Sequence, residues 1–212
     1  MDAELAAMPV IDIDTHFTEP RDMWTSRAPQ KLQGRVPHVE VTKEGAEQWV
    51  IGDLVLGPPG FCVIKKDGQK SYGVISLPRF EDMSVASTNP EARLRYMDEF
   101  GLHTQILYPN TLGFAGNNMM KIVDVELRNF CITGYNDAMA DVQQAGKGRL
   151  YPQILLPFWD IELTVKELKR CHEKLVATGF TMSDSPESWG LPYLNDPHWD
   201  PLWAEAQDRS MP

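Results

Sequence analysis

Asp12, Asp14 and His16 stand close together near the start of the chain, in the string VIDIDTHFTEPRDMW. The stretch from Met8 to Asp14 reads as a short β-strand with apolar residues at 11 and 13, and polar residues and a proline follow at once. On an extended segment, residues two apart point the same way, so Asp14 and His16 can converge on one point. They would supply a carboxylate oxygen and a neutral imidazole nitrogen, a pair that zinc and manganese both accept. The plainer alternative is a capping aspartate beside a hydrogen-bonded histidine.

Other residues offer weaker chemistry. Arg27, shortly after this pair, is able to bind a substrate carboxylate through its bidentate fork, although an ordinary surface arginine also fits. His198, in the string NDPHWD, falls at the expected exit of a fourth strand and is a second substrate-binding candidate, against a polar surface residue or cap partner. His103 begins a strand at the end opposite the chemistry. His172 lies beside the apolar stripe of a helix, and its string HEKLV is not HExxH, which excludes a zincin site. His38 has no evident partner. The aromatics Phe17, Trp24, Phe61, Phe114 and Trp159 sit near expected loop ends, where they either line a ring-binding pocket or belong to the core. Neither GxGxxG nor a Walker loop occurs, so no nucleotide cofactor is indicated.

The elements that must position these residues come from an ordinary globular composition, 212 residues with 42% hydrophobic and 24% charged side chains. A formal net charge of −10 without a basic cluster argues against nucleic acid as a partner and favours a small-molecule substrate. No apolar run is long enough to span a membrane, and the opening MDAELAAMPV lacks the features of a secretory signal, so a cytoplasmic protein is expected. Cys62, Cys131 and Cys171 are far apart and read as reduced, mostly buried thiols.

From about Lys31 to Pro78, short β-type pieces such as VPHVEV, QWVIGDLVLG and CVIKK alternate with turn signals, which predicts a small antiparallel insert. Asp67-Gly68 is its strongest hairpin signal, leading into QKSYGV. Beyond the insert, helices predicted over Pro90–Phe100, Asp124–Gln144 and Ile161–Ala177 alternate with the strand-like TQILYPN, LYPQILLP and FTMSD. The second helix places Leu127, Cys131, Tyr135, Ala138 and Val142 on one stripe, and the third ends toward Gly179. A last helix starts with Asp200 as N-cap and Pro201 behind it. Alternating strands and helices imply a parallel α/β sheet, in a barrel or a doubly wound form. In either form the carboxyl ends of the strands carry the active face, which is where Asp14 and His16 fall. The pattern demands a further strand after Arg209–Pro212, as though the chain stops mid-fold.

The string VIDIDTHFTEPRDMW resembles the opening of the amidohydrolase-related family, which includes aminocarboxymuconate semialdehyde decarboxylase and hydroxybenzoate-type decarboxylases. Asp14, His16, Glu19, Pro20 and Trp24 occupy its acid-or-His, any residue, His pattern and the Glu-Pro and Trp that follow. RYMDEFG before TQILYP, Tyr135-Asn136-Asp137, LLPFWD and WDPLWAEAQD resemble later segments of the family in the same order. The resemblance implies about the first four βα units of a (β/α)8 barrel with a β insert after the first strand. It implies a divalent metal, zinc or manganese, with Asp14 and His16 as two ligands, and hydrolysis or decarboxylation of a small carboxylated substrate, aromatic acids included. The family's remaining metal ligands and catalytic histidine would lie beyond Pro212, so this chain alone is not expected to be a competent enzyme.

Two rival readings lead elsewhere. Asp12-Ile13-Asp14-Thr15 also has the DxDxT form of haloacid dehalogenase-like phosphatases, with Asp12 as nucleophile and Asp14 as acid/base, but the acidic pair such enzymes need downstream is not in a suitable context. A non-catalytic half-barrel module would expose an apolar face and self-associate, and a homo-oligomer is expected on either half-barrel reading.

Overall fold

The computed structural model describes residues 8–61, 63–68, 76–112 and 114–212, with the side chains of 114–116 left out. Cys62, the Phe114 side chain and all of QKSYGV therefore lie outside the described residues.

Four parallel strand segments form the frame. β1 (Val10–His16) pairs with β7 (Leu102–Tyr108), and β7 pairs with β8 (Leu150–Pro152). β8 continues past Gln153 into β9 (Ile154–Leu155), which pairs with β10 (Phe180–Thr181). Spatial order thus follows chain order. A doubly wound sheet reverses direction at a switch point, whereas a barrel adds each strand beside the previous one, so this order is barrel-like.

Between β1 and β7 the chain builds an antiparallel sheet of β2 (His38–Val41), β3 (Glu47–Ile51) and β4 (Leu54–Gly57), and a short pair, β5 (Gly60–Phe61) with β6 (Ser76–Leu77). Asp67-Gly68 lies in a turn closed by Gly68 N–H donating to the Lys65 carbonyl, with Gly68 at φ +72°. Asp67 is not at positive φ, so this is not the type I′ turn expected.

Helices α1 (Pro90–Phe100), α2 (Val125–Ala145), α3 (Ile161–Leu175) and α4 (Asp200–Asp208) follow the parallel strands in turn. Asn89, Asp124 and Asp160 cap the first three by accepting backbone N–H groups two or three residues on. The predicted stripe of α2 is buried throughout, in a core shared with Phe17, Trp24 and Trp49. Trp24 is its hub. Its Nε1 donates to the Cys131 carbonyl at 3.0 Å and its ring meets Trp49 edge-on at 5.2 Å, docking the insert onto α2. Burial pushes the Cys131 and Cys171 thiols well above the usual range, which suits packing rather than reactivity.

Two helix ends differ from expectation. Asp200 is already helical and caps nothing with its side chain; Asp196 caps the preceding turn Pro197–Trp199 by accepting the His198 N–H. α3 ends at Leu175, with Val176 in the left-handed region at φ 56°, and Gly179 instead lets the backbone pass closely beside the Gln153 side chain. A β-branched residue is poorly suited to that conformation, and Val176 is largely exposed. Val176→Gly is therefore expected to raise stability by about 1 kcal/mol in urea unfolding, and a loss would show that the Val176 side chain makes a contact that outweighs the strain.

The largest departure concerns β1. Ile11 and Ile13, the apolar residues that mark the strand in sequence, are 57% and 65% exposed. The described residues thus leave both side chains largely uncovered.

Candidate metal centre

The ladder between β1 and β7 is irregular. Asp12 lies opposite Gln105 and Thr15 opposite Leu107, three residues against two, which is a bulge. Its effect on side-chain direction is traced by Arg93 of α1, 2% exposed. One guanidinium nitrogen donates to Gln105 Oε1 at 3.3 Å and to Thr15 Oγ1 at 3.5 Å, and the others reach the His16 carbonyl at 2.8 Å and the Ala86 carbonyl at 2.6 Å. Gln105 in turn donates to Asp12 Oδ2 at 2.9 Å. Asp12 and Thr15 thus both face the helix layer. Alternation sends Asp14 and His16, the neighbours of Thr15, to the opposite side. Burial pulls the Arg93 guanidinium down to about 10, with the nearby Tyr96 and Asp12 acting against it.

His16 lines a cleft of about 250 Å³ at the carboxyl ends of β1 and β7, together with Leu56, Gly57, Pro58, Phe61, Pro109, Asn110 and Thr111. The insert supplies the first group of walls and the loop after β7 the second. His16 Nδ1 lies 3.0 Å from the Pro109 carbonyl oxygen. A carbonyl only accepts, so Nδ1 carries a proton, the arrangement usual in metal-binding histidines. Asp14, two residues earlier on β1, is exposed and does not line this cleft. The donor set suits a divalent cation as far as it goes, but among the described residues no group of three or more His, Cys, Asp and Glu side chains comes together to hold one.

Around this pair is a set of residues that no sequence pattern had given a role. Glu19 is fully buried, and its carboxylate accepts from the Asn110 and Thr111 backbone N–H groups and the Thr111 hydroxyl, at 2.8–3.0 Å. Burial pushes its carboxyl up, and those donors oppose the shift. Asn110 Nδ2 donates to Thr18 Oγ1 at 3.1 Å and to the Phe61 carbonyl at 2.8 Å, tying the insert to both strand exits. The only sequence signal was an acidic residue directly before Pro20.

The remaining candidates lie elsewhere. Arg27 donates to Asp141 Oδ2 at 2.6 Å and to the Met23 carbonyl at 3.2 Å. Asp141 is in the last turn of α2, at the end that leads back to the start of a strand, so the structure puts Arg27 at the opposite end from His16. His198 follows β10 on a carboxyl-end loop, packed edge-on against Trp199 at 4.8 Å, and does not line the His16 cleft. Phe17 and Trp24 are core, whereas Phe61 is a cleft wall. His38 has partners after all, the Val36 carbonyl at 3.0 Å and Glu40 at 3.4 Å.

No protein-family model matches the sequence, and no curated protein matches it. Solved structures do. An amidohydrolase from Mycobacterium avium subsp. paratuberculosis K-10 superposes over 97% of this chain and 58% of its own, with a TM-score of 0.71 at 20% identity. Over its length the chain has the fold of the matching part of that amidohydrolase. The IDCase of Metarhizium anisopliae matches over 99% of this chain and 50% of its own, with a TM-score of 0.59 at 16% identity. A 5-carboxyvanillate decarboxylase from Novosphingobium aromaticivorans, complexed with manganese and 4-hydroxy-3-methoxy-5-nitrobenzoic acid, matches over 98% and 49%, with a TM-score of 0.54 at 17% identity. The chain spans about half the length of these solved structures.

Proposed function

We propose that this chain forms the metal-binding first part of a divalent-metal amidohydrolase-type enzyme, about four βα units of a barrel, with Asp14 and His16 as two of the metal's ligands. The observation that carries the reading is the His16 imidazole at the carboxyl end of the first strand, with Nδ1–H held by a backbone carbonyl and the ring on a cleft. Asp12, the nucleophile of the phosphatase alternative, is turned to the helix side, where Gln105 occupies one carboxylate oxygen and the Asp14 N–H the other. That arrangement leaves the metal reading better supported.

Leu56, Pro58, Phe61 and Pro109 give the cleft apolar walls, which favour a small ring-shaped substrate over an extended polar one. When bound, the metal would supply a Lewis acid, polarising a substrate oxygen for decarboxylation or activating a water for hydrolysis. Asp14 and His16 would hold it, with zinc and manganese both compatible, and the chain's own walls would orient the ring and exclude water. Further ligands and the proton-transfer group would come from strands beyond those described, so the 212-residue chain by itself would turn over little or nothing. The uncovered Ile11 and Ile13 would make it self-associate as a homo-oligomer, which light scattering should detect and which Ile13→Lys should reduce.

The test is turnover by the full-length gene product on a panel of hydroxylated aromatic carboxylates and of amide and lactone substrates. Carbon dioxide release or hydrolysis should stop after chelation and return with Mn²⁺ or Zn²⁺. Undiminished turnover in the chelated enzyme would defeat the proposal.

A further inference from the structure

We propose that Glu19 is a positioning residue that sets the tautomer of His16, acting through the single peptide unit that joins Pro109 to Asn110. The proposal rests on the reading of His16 as a metal ligand, and adds a device in this chain that prepares it.

A trans peptide is planar, with its C=O and N–H pointing in opposite directions, and no peptide bond among the described residues is cis. The unit between Pro109 and Asn110 is therefore one rigid bar held at both ends. Its N–H donates to Glu19 Oε1 at 2.9 Å, and its C=O accepts from His16 Nδ1 at 3.0 Å. The Pro109 ring fixes φ just ahead of the bar. On its other side, Thr111 gives Glu19 both its backbone N–H, at 3.0 Å, and its hydroxyl, at 2.8 Å. Turning the carbonyl away from His16 would swing the Asn110 N–H off a buried carboxylate, at the cost of a charge-assisted hydrogen bond.

The chemistry of the clamp fits this role better than simple cross-linking. Glu19 has no exposed surface, and an ionised carboxylate is an expensive way to join two loops. What it offers is an acceptor on both oxygens, which polarises the peptide unit and strengthens its carbonyl as the partner of Nδ1–H. With the proton held on Nδ1, Nε2 is the ring nitrogen that would face a cation. Partners of this kind behind a metal-binding histidine are commonly worth a factor of about 10–100 in affinity.

The test uses protein labelled with ¹⁵N in histidine. Two-bond proton–nitrogen correlations should show His16 as the Nδ1–H tautomer in the wild type without any metal. In Glu19→Gln, whose amide brings donors where acceptors are needed, the Nε2–H form should appear while the remaining imidazole signals stay in place, and Mn²⁺ affinity should fall about 10–100-fold. If Glu19→Gln does not fold, Glu19→Asp keeps the charge but shortens the reach, and a mixture of tautomers is expected. A pure Nδ1–H His16 in whichever variant folds would overturn the proposal. Absence of Mn²⁺ binding by the wild type would instead count against the metal reading, with the tautomer comparison still deciding what Glu19 does.

Discussion

Asn136→Ala is expected to cost about 3 kcal/mol or more of stability, since it strips partners from several buried groups at once. Asn136 has no exposed surface. It bridges α2 to the end of the third parallel strand, accepting the Leu155 N–H at 2.9 Å and donating to the Leu155 carbonyl at 2.9 Å. It also donates to Glu167 Oε1 at 2.7 Å, and Glu167 in turn holds Arg170 through two contacts of 2.7 and 2.8 Å. Arg170 reaches back to Asp137 at 2.7 Å, so the Asn136-Asp137 pair pins α3 as well as the strand. Alanine leaves the Leu155 N–H and C=O without their side-chain partner and a nearly buried carboxylate short of a donor. Urea unfolding followed by circular dichroism would measure the loss, with exposed Gln144→Ala on the same helix staying within about 0.5 kcal/mol of the wild type. An Asn136→Ala protein as stable as that control would mean the bridge is not holding strand and helices together.

The second large effect concerns the metal pair. His16→Ala and Asp14→Ala in the full-length gene product are each expected to lower metal retention by more than about 100-fold and to abolish detectable turnover, since losing a ligand outweighs losing a partner behind one. The two substitutions should differ in their side effects. Asp14 is exposed, and its removal should leave stability nearly unchanged. His16→Ala also gives up the hydrogen bond to Pro109, a modest cost of about 1 kcal/mol. Metal content after gel filtration, set beside unfolding midpoints, separates loss of the ligand from loss of the fold. Full metal content in both variants would remove the basis for assigning the site.

Much of the frame was legible because periodicity and caps report local physics. The Pro90–Phe100 span of α1, the apolar stripe of α2 and the turn-separated pieces of the insert each depend on a few neighbouring residues. The position of Asp14 and His16 at a strand exit was legible for the same reason. The bulge between Asp12 and Thr15 was not, because it is defined by register against β7. It turns Asp12 away from its neighbour Asp14, a separation that alternation along one strand cannot foresee. Glu19, Asn110 and Thr111 were invisible as a unit, since their contacts span some ninety positions of sequence. Arg27 failed for a related reason. Its proximity to His16 in sequence said nothing of Asp141, more than a hundred residues on, which the fold brings to it. The exposure of Ile11 and Ile13 reflects the same limit in reverse, since an apolar strand implies a cover without saying which segment provides it.

The most direct test of the central claim is pulsed electron paramagnetic resonance on the protein loaded with Mn²⁺. The account predicts a bound ion with nitrogen coupling from the His16 imidazole, lost in His16→Ala, and binding weakened in Asp14→Ala. An ion bound equally tightly in all three proteins, with unchanged nitrogen coupling, would contradict it.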